Sequence, residues 1–281
     1  MDVKLIASDI DGTLIRSDGF LSETTRYALE KAAQQGAVVV LATGRTRMTM
    51  VDLLEKLPMV QYIICSNGAS IWDCKNQTVL ADYCIPRDLF TPILDILCND
   101  NICWHCFCDG KGYMDESLVG KLNHIFKTRT PLKTNFGSKV FHIKNARDYI
   151  VSNMSCVEKF GVVTDDVEAR QRVLNKLKQI PELSISSATW FNLEINMKKA
   201  TKGNALNFLI NHLNLQKEEV LAFGDNLNDC TLLNAAGVGV AMGNASEELL
   251  PYADCQTQSN DEDGLAKFVA RAMGFIIPEI G

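Results

Sequence analysis

The chain has 281 residues, 47% of them apolar and 22% charged, with a formal net charge of -6. That length exceeds one ordinary domain, so two domains, or one large α/β domain carrying an insertion, are expected. The acidic balance offers no clustered basic face for nucleic acid, and no apolar run reaches the roughly eighteen residues of a membrane span. The opening stretch to Asp9 lacks the basic flank and long apolar segment of a secretory leader, so a cytoplasmic location is expected.

In chain order, an apolar strand at residues 3–8 leads to a helix that Ser22 can cap, with Ala28, Leu29, Ala32 and Ala33 at helical spacing before Gly36. Residues 37–42 form a continuous apolar run of the kind buried on both faces of a parallel sheet. A helix at 47–57, with Met50, Val51 and Leu54 inward, and a strand at 62–65 complete a βαβαβ pattern. From about residue 82 the character changes. Helices are expected near 87–98, 117–126, 146–157 and 167–178, and strands near 102–107, 139–143, 159–164 and 183–187. The first pattern resumes after 191–195, with a helix at 202–212, the buried run 220–223, and short strands at 238–242 and 253–257. The expected architecture is therefore a doubly wound parallel-sheet α/β core, residues 1–81 and 189–281, interrupted by an inserted α+β domain at 82–188 with a mostly antiparallel sheet.

Ten cysteines include the dense segment Cys103-Trp104-His105-Cys106-Phe107-Cys108. Strand alternation sends Cys103 and Cys106 to opposite faces, and no second C-x-x-C pair completes a tetrahedral zinc site. Structural zinc and disulfides are not expected, and the thiols read as small buried hydrophobes in reducing surroundings. His105, His142 and Trp190 read as ordinary strand or packing residues.

Four apolar strands end in small polar groups: Asp9-Ile10-Asp11-Gly12-Thr13, Thr43-Gly44-Arg45, Ser66-Asn67-Gly68 and Gly224-Asp225-Asn226-Leu227-Asn228-Asp229. Each taken alone could be turn punctuation. Together they converge, because the carboxyl ends of parallel strands form one ligand-binding edge. Paired aspartates there repel unless a cation lies between them, and an all-oxygen set without His or Cys suits magnesium. Asp9, two residues before a second carboxylate and next to a glycine turn that exposes backbone amides, can serve as a nucleophile beside an acid/base and an anion nest.

These motifs resemble those of haloacid dehalogenase-like hydrolases, specifically the Cof-type, sugar-phosphatase-like branch with a type-2 cap. Residues 9–13, 43–45, 202–203 and 224–229 match the family's four motifs in order, and 240–245 and 261–264 also resemble this branch. Leu232 or Leu233 stands where the branch often has Met.

The resemblance implies a magnesium-dependent phosphatase in which Asp9 forms an aspartyl-phosphate and Asp11 protonates the leaving alkoxide, then activates water. It implies magnesium bound by Asp9, the backbone carbonyl of Asp11 and Asp225, with Asn228 and Asp229 supporting it. Thr43, Lys202 and backbone amides of the first two motifs, Gly44 included, would hold the phosphoryl oxygens. Arg45 contacts the leaving group, closes the loop after Thr43 or is solvated, and Asn67 either orients Asp11 or serves the turn. The expected substrate is a small phosphorylated metabolite, with sugar phosphates foremost, chosen by a cap joined to the core near Ala81-Asp82 and Ala188-Thr189 that closes on each turnover. A phosphomutase of the phosphomannomutase kind is the alternative. Carbon–halogen hydrolysis would not need Asp11, Asp225 or a metal, and a non-catalytic phosphate sensor would be expected to lack Asp11 or Lys202. The oligomeric state is not readable from the sequence.

Overall fold

A computed structural model of the protein describes residues 2–100, 102–129, 140–187 and 189–278. The chain opens with β1 (Leu5–Ser8), α1 (Glu23–Gln34), β2 (Val38–Ala42), α2 (Val51–Lys56) and β3 (Val60–Cys65), followed by β4 (Ser70–Asp73) and β5 (Thr78–Asp82). Next come β6 (Ile85–Pro86), α3 (Arg87–Asn99), β7 (Cys103–Cys108), β8 (Lys111–Asp115), α4 (Val119–Arg129) and β9 (Val140–Ile143). They are followed by α5 (Ala146–Asn153), β10 (Cys156–Val157), β11 (Lys159–Val163), α6 (Val167–Leu177), β12 (Leu183–Ser186) and β13 (Asn192–Met197). The last stretch carries α7 (Lys202–His212), β14 (Val220–Gly224), α8 (Cys230–Ala235), β15 (Val238–Ala241), β16 (Cys255–Gln256) and α9 (Gly264–Met273). Among the described residues, no helix is long and apolar enough to cross a membrane.

Two compact units result: Met1–Arg45, Met50–Asp82 and Ala200–Gly281 form the first, and Thr46–Thr49 with Tyr83–Lys199 the second. The first contains one sheet in the order β16-β15-β14-β1-β2-β3-β4-β5. Strands β16 to β3 are parallel, whereas β4 and β5 add antiparallel to the β3 edge. Leu29 and Ala32 of α1 and Leu265 and Val269 of α9 cover one face, packing with Ile6, Val39, Leu221 and Val240. Because strands near the middle of the sheet are covered on both sides, all four residues of β1 and all five of β14 are buried. Ser22 begins α1 as expected, its hydroxyl accepting from the Thr25 N–H at 3.0 Å.

The second unit has a sheet in the order β12-β13-β11-β7-β8-β9, antiparallel except for the β8·β9 pair. Strand alternation divides β7. Trp104, Cys106 and Cys108 pack with Phe90 and Ile93 of α3 and Val173 of α6, whereas Cys103 and Phe107 pack with Leu122 and Ile125 of α4.

Four local expectations need correction. The helix expected at 47–57 is a 3-10 turn at Arg47–Thr49 followed by α2 at Val51–Lys56. The helix expected at 146–157 stops at Asn153, and Cys156–Val157 instead pairs antiparallel with β6. Residues 70–82, for which the sequence pattern predicts no strand, form the β4–β5 hairpin, whose turn Asp73 holds by accepting the Lys75 and Asn76 N–H groups at 2.9 Å each.

The segment read as the return to the core is β13, which pairs with β11 and β12 in the second sheet. Its alternation, with Leu193 and Ile195 buried between less buried Asn192 and Glu194, is that of a strand with one face in a core. The second unit therefore runs to Lys199, past the boundary at 188 drawn from sequence. Lys139, the first residue of the strand expected at 139–143, and Ala188, at the expected boundary, lie outside the described residues. Trp190, read as packing, is half exposed, with the Arg129 guanidinium 5.3 Å from its ring centre.

Phe160 is fully buried in the second unit's core. The substitution Phe160→Ala is expected to lower stability by about 3–5 kcal/mol, read as an earlier midpoint in urea denaturation.

Candidate active site

The parallel sheet delivers the motif residues to one edge. Asp9 follows β1 directly, its N–H donating to the Phe223 carbonyl of neighbouring β14 at 3.0 Å, and Asp225 follows β14. Thr43 follows β2, with its N–H bonded to Ile64 O, and the Asn67 N–H returns to Thr43 O at 2.9 Å. Lys202 opens α7 behind Thr201, whose side chain accepts from the Asn204 N–H at 3.1 Å and caps the helix. Gly12 has φ +88°, and a Cβ there would stand 2.4 Å from Asp225 Oδ2, so the first motif's turn admits only glycine beside that carboxylate.

At the centre lies the Lys202 ammonium, fully buried, with Nζ donating to Asp9 Oδ1 and to Asp229 Oδ1, each at 2.6 Å. Asp229 is equally buried, and its Oδ2 accepts the Asp225 and Asn226 N–H groups at 3.0 and 3.1 Å. Asp225 Oδ1 accepts from the Thr13 hydroxyl at 2.8 Å. Asp9, Asp225 and Asp229 each place a carboxylate oxygen within 4.8 Å of the others. When all are ionised, these three carboxylates face the single Lys202 ammonium, leaving two negative charges unmatched within the cluster.

Burial governs titration here, and the neighbouring charges modify it. Burial pushes the Asp9 carboxyl up to about 8, with Lys202 opposing and Asp229 reinforcing the rise. Burial likewise pushes Asp225 up to about 6, against the Thr13 hydrogen bond and with Asp229 adding to the rise. Burial would lower the Lys202 ammonium, but Asp229 and Asp9 hold it above its ordinary value. Surplus negative charge among oxygen donors, with no thiol or imidazole in the cluster, fits a hard divalent cation.

Other expected site residues are placed differently. The Asp11 side chain is 60% exposed and forms a two-point ion pair with Arg45, Nε to Oδ2 at 2.9 Å and Nη2 to Oδ1 at 2.5 Å. Arg45 thus neither stands free in solvent nor is confined to a leaving-group role; it grips the second carboxylate of the first motif. The Thr43 hydroxyl accepts the Arg45 N–H at 3.0 Å, and Gly44 passes so close to Asn67 that a Cβ would stand 2.9 Å from its Oδ1. Asn67 adopts φ +61° and accepts from Asn228 Nδ2 at 3.3 Å. Asp229 spends one oxygen on Lys202 and the other on two backbone amides.

Asn244 and Asn260 were given no role in the sequence reading, yet both brace the first motif. Asn244 Nδ2 donates to Gly12 O at 2.8 Å, while Asn260 donates its N–H to Asn244 Oδ1 and its Nδ2 to Ile15 O. The signal was present for Asn244, a polar residue following the apolar β15 on the same edge.

Comparison with known proteins places this arrangement. A profile of haloacid dehalogenase-like hydrolases matches residues 6–269. The 5-amino-6-(5-phospho-D-ribitylamino)uracil phosphatase YcsE of Bacillus subtilis is 34% identical over 271 residues, covering 96% of this chain and 95% of its own. Phosphatase YwpJ of the same organism is 31% identical, covering 94% and 98%. A crystal structure of a haloacid dehalogenase-like hydrolase from Bacteroides thetaiotaomicron matches with a TM-score of 0.81 at 25% identity, over 96% of this chain and 99% of that one. The chain therefore belongs to the haloacid dehalogenase-like hydrolase family. Within it, the protein is an enzyme of the phosphatase class.

Two outcomes follow from the cluster. Lys202→Met leaves Asp9 and Asp229 buried without their cation and is expected to cost about 3–5 kcal/mol in chemical denaturation at neutral pH. Asp9 rises from an ordinary 3.8 to about 8, so the folded chain binds more protons than the unfolded one between those values. In chelator, the contribution of Asp9 to stability is therefore fully present below that window and is lost as pH rises through it. Thermal melts in chelator should show a lower Tm at about pH 8 than at about pH 5, and a divalent metal should raise Tm more at the higher pH.

Proposed function

We propose that the protein is a magnesium-dependent phosphatase that hydrolyses small phosphomonoesters, sugar phosphates foremost, through a phosphoryl group carried on Asp9. The observation that carries this reading is the buried Lys202 ammonium held between Asp9 and Asp229, with Asp225 beside them in a cluster short of positive charge. Asp9 and Asp225, with the backbone carbonyl of Asp11, would hold magnesium. Once bound, the ion offsets the charge between an anionic phosphate and an anionic nucleophile.

In the first half-reaction an Asp9 carboxylate oxygen attacks phosphorus, the bond from phosphorus to the ester oxygen breaks, and protonated Asp11 gives its proton to the departing alkoxide. In the second, Asp11 takes a proton from water as the water oxygen attacks the aspartyl-phosphate, releasing phosphate and restoring Asp9. Lys202, the Thr43 hydroxyl and the Gly44 N–H donate to phosphoryl oxygens. Arg45 fixes the direction of both Asp11 oxygens between turnovers. Asp229 keeps Lys202 charged and in place, and Asn228 braces Asn67.

These groups address only the phosphate end of a substrate, so choice among esters is assigned to the inserted second unit. The relative named for a ribityl phosphate ester supports a hydroxylated carbon chain bearing a phosphate.

Asp9→Asn preserves shape and removes the nucleophile, so phosphate release from a panel of phosphomonoesters should vanish while the fold, read by circular dichroism, survives. Near-native turnover in that variant would end the covalent reading. Asp11→Asn should instead slow both half-reactions and let an acid-stable-isolated phosphoprotein accumulate. Chelator should abolish wild-type activity, with magnesium restoring it better than calcium.

A further inference from the structure

The second unit brings together two thiols distant in sequence. Cys84 immediately precedes β6 and Cys156 opens β10, in a ladder that pairs Cys156 with Pro86 and Val157 with Ile85. Their Sγ atoms lie within 4.8 Å of each other. A disulfide needs sulfurs about 2.0 Å apart, so the two side chains must close further for the bond to form. Both residues are partly exposed, so a small oxidant can reach them, and the Ser155 hydroxyl lies 4.0 Å from Cys156 Sγ, where it can donate to a thiolate.

The cysteines of the adjoining sheet are set differently. Cys103, Cys106 and Cys108 are buried in β7. Burial pushes the Cys103 thiol up to about 11, and a hydrogen bond with Cys106 together with burial raises Cys108. Such thiols form the reactive thiolate poorly at neutral pH.

We propose that Cys84 and Cys156 are a reversible dithiol–disulfide couple whose oxidant is hydrogen peroxide. The Cys156 thiolate attacks the peroxide, breaking the O–O bond; sulfur takes one oxygen as sulfenic acid, and the hydroxide released takes up the thiol's proton as water. Cys84 sulfur then attacks the sulfenic sulfur, the S–O bond breaks, and a second water leaves with the Cys84 proton. Two thiols are oxidised by two electrons and one peroxide is reduced to water. The bond reinforces the two-residue ladder β6·β10 close to Tyr83, where the second unit begins. Transient oxidation of this kind is the usual form of disulfide in a reducing compartment.

The test uses the full wild-type chain treated with hydrogen peroxide, denatured in an alkylating reagent and mapped by mass spectrometry. Of the ten cysteines, a single pair should resist alkylation, in a cross-linked peptide joining Cys84 to Cys156, and dithiothreitol should return both. An unchanged set of alkylated thiols, an intramolecular bond between any other pair, or conversion of Cys156 only to sulfinic acid would overturn the proposal. In Cys84→Ser, peroxide should leave a sulfenic acid on Cys156, captured as its dimedone adduct. A peroxide-induced intramolecular disulfide from Cys156 to another cysteine in that variant would also sink it.

Discussion

The Lys202 ammonium, enclosed with Asp9 and Asp229, is the contact on which the rest of the core site depends. A cation in the first turn of a helix opposes the helix dipole, so Lys202 occupies the start of α7 against a local electrostatic preference. What outweighs that preference is a pair of charge-assisted hydrogen bonds at 2.6 Å in a region closed to water. Remove the ammonium and two carboxylates remain buried without a counter-charge, a condition relieved only by protonation or by opening the fold. Asp229 shows how far the arrangement extends. By accepting the amides of Asp225 and Asn226 with its other oxygen, it ties the charge of Lys202 to the loop that presents Asp225.

One lysine does not balance the cluster. Asp225 adds a third carboxylate; burial raises both Asp9 and Asp225 toward the neutral range, and the charge of Asp229 adds to each rise. Three carboxylates outnumber the one ammonium, and in the proposed reading a divalent ion would offset that surplus. In the proposed reaction this sets an order of events. A phosphate anion approaching the bare cluster meets net negative charge, whereas one approaching the metal-loaded cluster meets a centre that attracts it. Arg45 treats Asp11 separately, holding both of its oxygens outside the carboxylate cluster.

Much of this was legible in the sequence, for identifiable reasons. Strands covered on both faces must be apolar throughout, so the runs that became β1, β2 and β14 stood out, and the polar groups after them marked one edge. Lys202 had no such local signal and was found through the ordered motifs of the family. The grip of Arg45 on Asp11 was not legible, because a long guanidinium side chain takes its partner from loop geometry that residue order does not state. The sheet joined by β13 was hidden for a related reason: its partners β11 and β12 were themselves assigned to another domain, and pairing is non-local. Asn244 had the right position after a strand, but its bond to Gly12 spans 232 residues.

The separation in sequence between β1 and β14 has a consequence for the birth of the protein. β1 lies between β2, which follows it closely, and β14, which lies beyond the whole inserted unit. Translation proceeds from the amino terminus, so Asp9 emerges early, long before Lys202, Asp225 and Asp229 exist to surround it. During that interval the nascent chain has one open side on its central strand, which only the last third of the polypeptide can close. The inserted unit, continuous from Tyr83 to Lys199 apart from the short segment Thr46–Thr49, is fully synthesised within that waiting period. A truncated chain ending before α7 therefore carries the Asp9 carboxylate without the Lys202 ammonium that holds it.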